Sequence, residues 1–237
     1  MARETLVFLP GMMCDARLFG PQIGVFENEY HVIVSALDSA STISEIANAV
    51  LQTLPEGPFN VVGLSMGGIV AMELARLAPV RLKRLALLDT NHLADTPDRV
   101  AMRNTQIDKI NSGHLHTVVV DEMKPSYLAQ KNRSNKDLLA LLIDMAMELG
   151  ADVFVRQSLA LRDREDQSET LQRIKVPTLV LCGEEDTLCP YSRHETISSL
   201  VAGSELVAIP EAGHITTLEN PPAVNRALTA WLKRPIV

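Results

Sequence analysis

The chain has 237 residues, of which 46% are hydrophobic and 22% charged, enough to core one domain or a domain with an insertion. A net charge of −7 and the lack of a long basic cluster argue against nucleic acid and anionic membranes as main partners. No apolar run approaches the ~20 residues of a membrane helix, and three cysteines form neither a metal spacing nor a disulfide framework.

Thr5–Leu9 reads as the first strand, closed by Pro10-Gly11. It is too short for the core of an export signal, so a cytoplasmic protein is expected. His31–Val34 is the second strand. Thr42-Ile43-Ser44-Glu45 makes a capping box for a helix to Leu54, with Pro55 beyond its end. Residues 59–63 form the third strand and run into Gly63-Leu64-Ser65-Met66-Gly67-Gly68, after which 69–75 has a helical pattern. Strand, sharp turn and helix are the setting of a nucleophile elbow, so Ser65 is the candidate nucleophile. Residues 85–89 are the fourth strand.

From 92 to 173 the alternation stops and helices follow one another. Thr96-Pro97 opens one, Ser112 the next, and Asn135 caps 136–149, which ends at Gly150 before a further helix over 151–162. Thr117-Val118-Val119-Val120 has strand composition, but its helical spacing from Met123 and Tyr127 assigns it to a helix. Residues 92–173 are therefore read as a helical cap inserted between core segments 1–91 and 174–237. Residues 177–182 and Glu205–Ile209 supply the last strands, and Asn220-Pro221-Pro222 opens a final helix with Val224, Leu228, Trp231 and Leu232 on one face. The strands are almost continuously apolar, as strands covered on both faces must be. The expected architecture is α/β: a doubly wound, mostly or wholly parallel sheet of about six strands flanked by helices.

A serine hydroxyl is a weak nucleophile and needs a base, which in turn needs an orienting acid. His214, in Glu211-Ala212-Gly213-His214, lies just past the last strand, where ligands of open α/β sheets bind. Among the other histidines, His31 starts a strand, His114 and His116 are spaced to point apart on a helix, and His194 sits in a charged helix start. His92 follows the strand ending at Asp89 and is a candidate pocket residue. Asp186, in the loop after 177–182, is the preferred acid, with Asp89 as runner-up. The order Ser65, Asp186, His214 is that of a single fold class. Oxyanion donors are expected from the backbone N–H of Met66 and, in the loop after the first strand, of Met12. The side chains of Met12, Met13 and Met66 either wall the pocket or fill core. In the cap, Met102, Leu142, Met145, Met147, Phe154 and Leu161 either line an acyl pocket or pack the cap itself, with Phe154 the candidate substrate contact. Arg156 and Arg162 are candidates for a substrate carboxylate. Cys14 and Cys189 fall in loops expected near the site.

With these residues in place, the chain resembles the α/β-hydrolase fold family over essentially its whole length, in particular the small cofactor-free esterases, lactonases and enol-lactone hydrolases. The likeness rests on the 9–15 loop, the 63–68 elbow, the 177–190 segment with Asp186, and Gly213-His214 followed by Asn220-Pro221. It implies a Ser65–Asp186–His214 triad, oxyanion donors at Met12 and Met66, and a cap after the family's sixth-strand position. It further implies a small carbonyl substrate cleaved through an acyl-enzyme, with no metal or organic cofactor. Two features depart from the family: Pro10-Gly11 stands where His-Gly is frequent, and two leading strands are missing, which implies an all-parallel sheet of six. The cap is the expected surface if two copies pair as a homodimer. Rival readings on the same triad are a slow-turnover ligand-binding or signalling protein, and a C–C hydrolase, lyase or perhydrolase.

Overall fold

The structure is a computed structural model that describes residues 3–236. Its sheet has six strands in the order β2-β1-β3-β4-β5-β6. They are β1 (Thr5–Leu9), β2 (His31–Val34), β3 (Phe59–Leu64), β4 (Leu82–Leu88), β5 (Thr178–Gly183) and β6 (Glu205–Ile209). Every neighbouring pair is parallel, so the expected all-parallel sheet of six is found. Strands β1, β3 and β5 are buried at every residue, whereas the edge strands β2 and β6 are partly open. The unbroken apolar runs of the inner strands reflect cover on both faces.

The crossover helices are α1 (Gly20–Phe26), α2 (Ile43–Thr53) and α3 (Met66–Leu77). Thr42 Oγ accepts the Glu45 N–H and donates to the Glu45 carboxylate, so α2 starts where its capping box requires. Between β4 and β5 lie α4 (Pro97–Asn111), α5 (Leu115–Thr117), a π-helical stretch over Val118–Met123, α6 (Lys136–Arg162) and α7 (Ser168–Arg173). The valine run is thus helical. Ser112 closes α4 instead of opening a helix: its hydroxyl donates to the Asp108 carbonyl and Gly113 takes φ +88, a left-handed stop. Gly150, at φ 82 and ψ 177, breaks α6 into the two expected segments. Helices α8 (Tyr191–Leu200), α9 (Thr216–Glu219) and α10 (Pro221–Leu232) complete the chain, and the four apolar residues chosen on α10 are all buried.

Parallel strands deliver all their carboxyl ends to one edge of the sheet. The chain turns from β1 outward to β2 and then back past β1 to β3, so the loops after β1 and β3 diverge at a switch point. That crevice is where an open α/β sheet binds its ligand. No helix among the described residues is long and apolar enough to cross a membrane.

Candidate active site

Ser65 sits between the last residue of β3 and the first of α3, at φ 55 and ψ −115. A non-glycine residue reaches this region only at a cost, so its surroundings must hold it there. The Ser65 N–H donates to Leu88 O at 2.9 Å, and the Thr90 hydroxyl donates to Ser65 O at 2.7 Å. A Cβ on Gly67 would lie 1.9 Å from Leu9 O, and one on Gly63 2.2 Å from Gly67 O. Only hydrogen fits at either position, which explains the glycines that flank the serine.

The loop after β6 carries His214 over this turn. Its Nε2 is 2.9 Å from Ser65 Oγ and its Nδ1 is 2.8 Å from Asp186 Oδ2. The carboxylate fixes the tautomer: Nδ1–H donates to Asp186, leaving Nε2 to accept the serine proton. The second oxygen of Asp186 accepts the N–H groups of Leu188 and Cys189, both at 2.9 Å. Burial opposes the Asp186 charge, but the His214 imidazole and these N–H donors outweigh it and hold the carboxyl below the ordinary Asp range. The His214 N–H donates to Tyr127 O at 2.7 Å, and the Tyr127 ring stands edge-on to the imidazole at 5.5 Å. Glu219 accepts from the N–H groups of Gly213 and Ile215 and, with its other oxygen, from Ala129 N–H and Asn132 Nδ2. It locks the histidine loop to the 129–132 segment.

Asp89, the runner-up acid, is fully buried and bonds elsewhere. It accepts the Gly183 N–H at 2.9 Å and the Thr216 hydroxyl, joining the end of β4 to β5 and to the histidine loop. Burial, reinforced by the Asp186 charge, pushes its carboxyl well above the ordinary range.

Met66 is the first residue of α3, and its N–H has no intrahelical acceptor. Gly11 brings the β1 loop close to the elbow, since a Cβ there would lie 3.4 Å from Ser65 Cβ. The next N–H but one, that of Met13, donates to Gln157 Oε1 at 2.8 Å, and Met13 takes φ 56. Among the described residues neither the Met12 nor the Met66 N–H has a hydrogen-bond partner, and both residues line the cavity that holds Ser65 and His214.

That cavity, of about 160 Å³, corrects several expectations. Met102 and Leu161 line it, but Met13, His92 and Phe154 do not. Met13 is fully buried with its backbone held by Gln157, and Phe154 is fully buried in the packing of α6. The His92 ring is buried away from the cavity beside Asp166, and its carbonyl accepts the Gln167 N–H. Leu142 and Met145 are core, and Met147 faces outward. Arg156 donates to Asp38 O, while Arg162 pairs with Asp163 and Asn104, so neither reaches the cavity. The cavity arginines are instead Arg99, Arg103 and Arg164. Burial raises the thiols of Cys14 and Cys189, so neither is an activated nucleophile. Asp186, Cys189 and His214 bring donor atoms within 4.8 Å of one another, as a metal would need. The Asp186–His214 pair is already joined through a proton, and the protonated thiol is a poor ligand.

His194 has a structural task that its charged surroundings in the sequence conceal. It is fully buried, its Nε2 accepts the Thr90 N–H at 2.9 Å, and Thr90 in turn holds Ser65 O. Burial lowers its pKa from 6.5 to about 4. A depressed histidine pKa means stability that is complete above 6.5 and lost as pH falls through 4. The expected loss is about 3 kcal/mol between those limits. Urea unfolding of the wild type and His194→Gln at pH 7 and pH 4 measures it; the variant should lose this part of the pH dependence.

The fold and the site define the class: an α/β-hydrolase-fold enzyme. The thioesterase-domain family matches residues 27–232, and the chain belongs to that family. Relatives include a putative carbamate hydrolase of Yersinia enterocolitica, 23% identical over 98% of this chain and 88% of its own. A 3-oxoadipate enol-lactonase of Acinetobacter baylyi is 20% identical over 96% of this chain and 88% of its own. Among solved structures, a malate-bound thermophilic esterase from Thermogutta terrifontis superposes with a TM-score of 0.89, at 25% identity over 98% of this chain and 90% of that one. The enol-lactonase from Burkholderia xenovorans LB400 shares the fold with a TM-score of 0.89 over 99% of this chain and 93% of that one, at 21% identity.

Proposed function

We propose that the protein is a carboxylic ester hydrolase that cleaves a small ester or lactone through a covalent acyl-enzyme on Ser65. The observation that carries this reading is the unbroken hydrogen-bond chain from Asp186 through His214 to Ser65 Oγ. Relatives named as an esterase and as enol-lactonases favour an ester-type carbonyl.

In the first step Ser65 Oγ attacks the carbonyl carbon and His214 Nε2 takes the hydroxyl proton. The oxyanion is held by the Met12 and Met66 N–H groups; one such donor typically contributes ~3 kcal/mol, about two orders of magnitude in rate. His214 passes its proton to the departing alkoxide. Water then attacks the acyl-enzyme, His214 accepts its proton, and collapse returns the proton to Ser65 and frees the acid. Asp186 stays ionised and stabilises the imidazolium. These steps need only the chain and water.

Residues 92–173 act as the cap that sets the substrate, over a core of 1–91 and 174–237. A cavity of about 160 Å³ is close to engineered cavities of about 150 Å³ that hold one benzene. A short acyl chain fits it. The test is labelling with a fluorophosphonate and mapping of the modified peptide. Ser65 should carry the label in the wild type, and His214→Ala should slow labelling at least a hundredfold. A label on another residue, or none, ends this reading.

A further inference from the structure

We infer that the substrate carries a carboxylate on its acyl chain, which Arg103 takes up beneath the cap with Arg99 assisting at the mouth. The inference rests on the hydrolase reading above and adds a substrate class to it.

Arg99, Met102, Arg103 and Gln106 all line the cavity, and their spacing of 3, 1 and 3 residues is one face of α4. Arg164 approaches from beyond α6. Three guanidiniums thus border one small space in a protein whose net charge is −7. Behind them lies the Asp95 side chain, fully buried, 2.6 Å from Arg103 Nε and 2.7 Å from Arg164 Nη2. One carboxylate balances the charge of one guanidinium. Here two share one, and the surplus positive charge borders the cavity.

The two buried arginines are not equivalent. Arg164 directs its donors into the fold: Nε and Nη1 donate to Leu93 O and Leu161 O, and Nη2 forms an ion pair with Asp95 Oδ1. Arg103 gives Nε to Asp95, while Nη1 meets only the Met12 sulfur at 4.0 Å. Met12 is the residue whose N–H is proposed to bind the oxyanion. Arg103 therefore carries its unspent donors close to the reacting carbonyl, with its side chain 9% exposed. Such a guanidinium presents the fork that matches a carboxylate in two parallel hydrogen bonds. The one acid among the described residues lining the same space, Glu122, is occupied by Lys109 at 2.7 Å and by Gln106. Burial lowers the Arg164 pKa, and the charges of Arg103 and Arg99 add to this against the attraction of Asp95, so an incoming anion relieves a standing repulsion.

The experiment compares monoethyl esters of the linear dicarboxylic acids from succinic to suberic with ethyl esters of monocarboxylic acids of equal length. The wild type should favour the half-ester of the fitting length by about 10- to 100-fold in kcat/KM, the range of a charge-assisted pair in a dry site. That ratio should fall about tenfold in Arg103→Gln, which leaves Asp95 paired with Arg164, and severalfold in Arg99→Gln, a half-buried residue at the mouth. A second measurement is independent of turnover: glutarate should bind Ser65→Ala protein in a calorimeter, and pentanoate should bind at least tenfold more weakly. Equal or better turnover of the neutral esters by the wild type overturns the inference, as does a ratio that persists in both folded variants. Glutarate binding without hydrolysis of any ester would uphold the anion site and sink the hydrolase reading instead.

Discussion

Ser65→Ala should lower ester turnover by about six orders of magnitude, because the serine and histidine act as one unit and removal of either costs nearly the whole effect. The protein should remain folded. Ser65 Oγ bonds only to His214 among the described residues, and the elbow is held by the backbone bonds to Leu88 and Thr90 and by the glycines. Unfolding free energy should change by less than about 1 kcal/mol, as for substitutions that create no cavity and strand no buried polar group. Steady-state kinetics on a short ester, with denaturant unfolding of the same preparation, checks both halves. Wild-type turnover by the purified variant would dismiss Ser65 as nucleophile.

Asp186→Asn should cost about four orders of magnitude in turnover, since an amide can donate to Nδ1 and so select the wrong imidazole tautomer. Asp89→Asn provides the contrast, because the two acids lie at neighbouring strand ends and differ only in environment. The Asp89 carboxyl is pushed toward its protonated form, and its partners are Gly183 and Thr216. A side-chain amide can serve both partners, so the rate should change less than tenfold. The sign for stability also differs. A carboxyl with a raised folded pKa contributes stability that is lost as pH rises, so Asp89→Asn should gain on the wild type toward alkaline pH. Rates for the two variants, measured side by side, test the assignment; a large loss at Asp89 with little at Asp186 would exchange their roles.

The strands, the elbow and the order of Ser65, Asp186 and His214 were legible because each is a local pattern. Apolar runs of four to six residues define strands, glycine spacing marks the turn, and a parallel sheet then gathers its strand ends without further information. Residues 92–173 were legible as helices but not as a surface. Helical periodicity shows that Met145 and Phe154 lie on an apolar face, yet it does not say whether that face meets core or cavity. The same limit applied to charge. Arg156 and Arg103 look alike in the sequence; what separates them is Asp95, eight residues before Arg103 and folded beneath it. Nothing beside them in the sequence gives Gln157 and His194 a structural role, because their partners, Met13, Leu37 and Thr90, lie about 100 residues or more away.

Gln157 has an implication for engineering. Its Oε1 accepts the Met13 N–H and its Nε2 donates to Leu37 O, so α6 clamps the loop that carries Met12. On the proposed reading, residues 92–173 are thus not a modular attachment that can be traded for another to retarget the enzyme. A chimera carrying a relative's segment in their place should then alter the intrinsic speed of bond cleavage along with substrate preference, unless the graft restored a carboxamide at the position of Gln157.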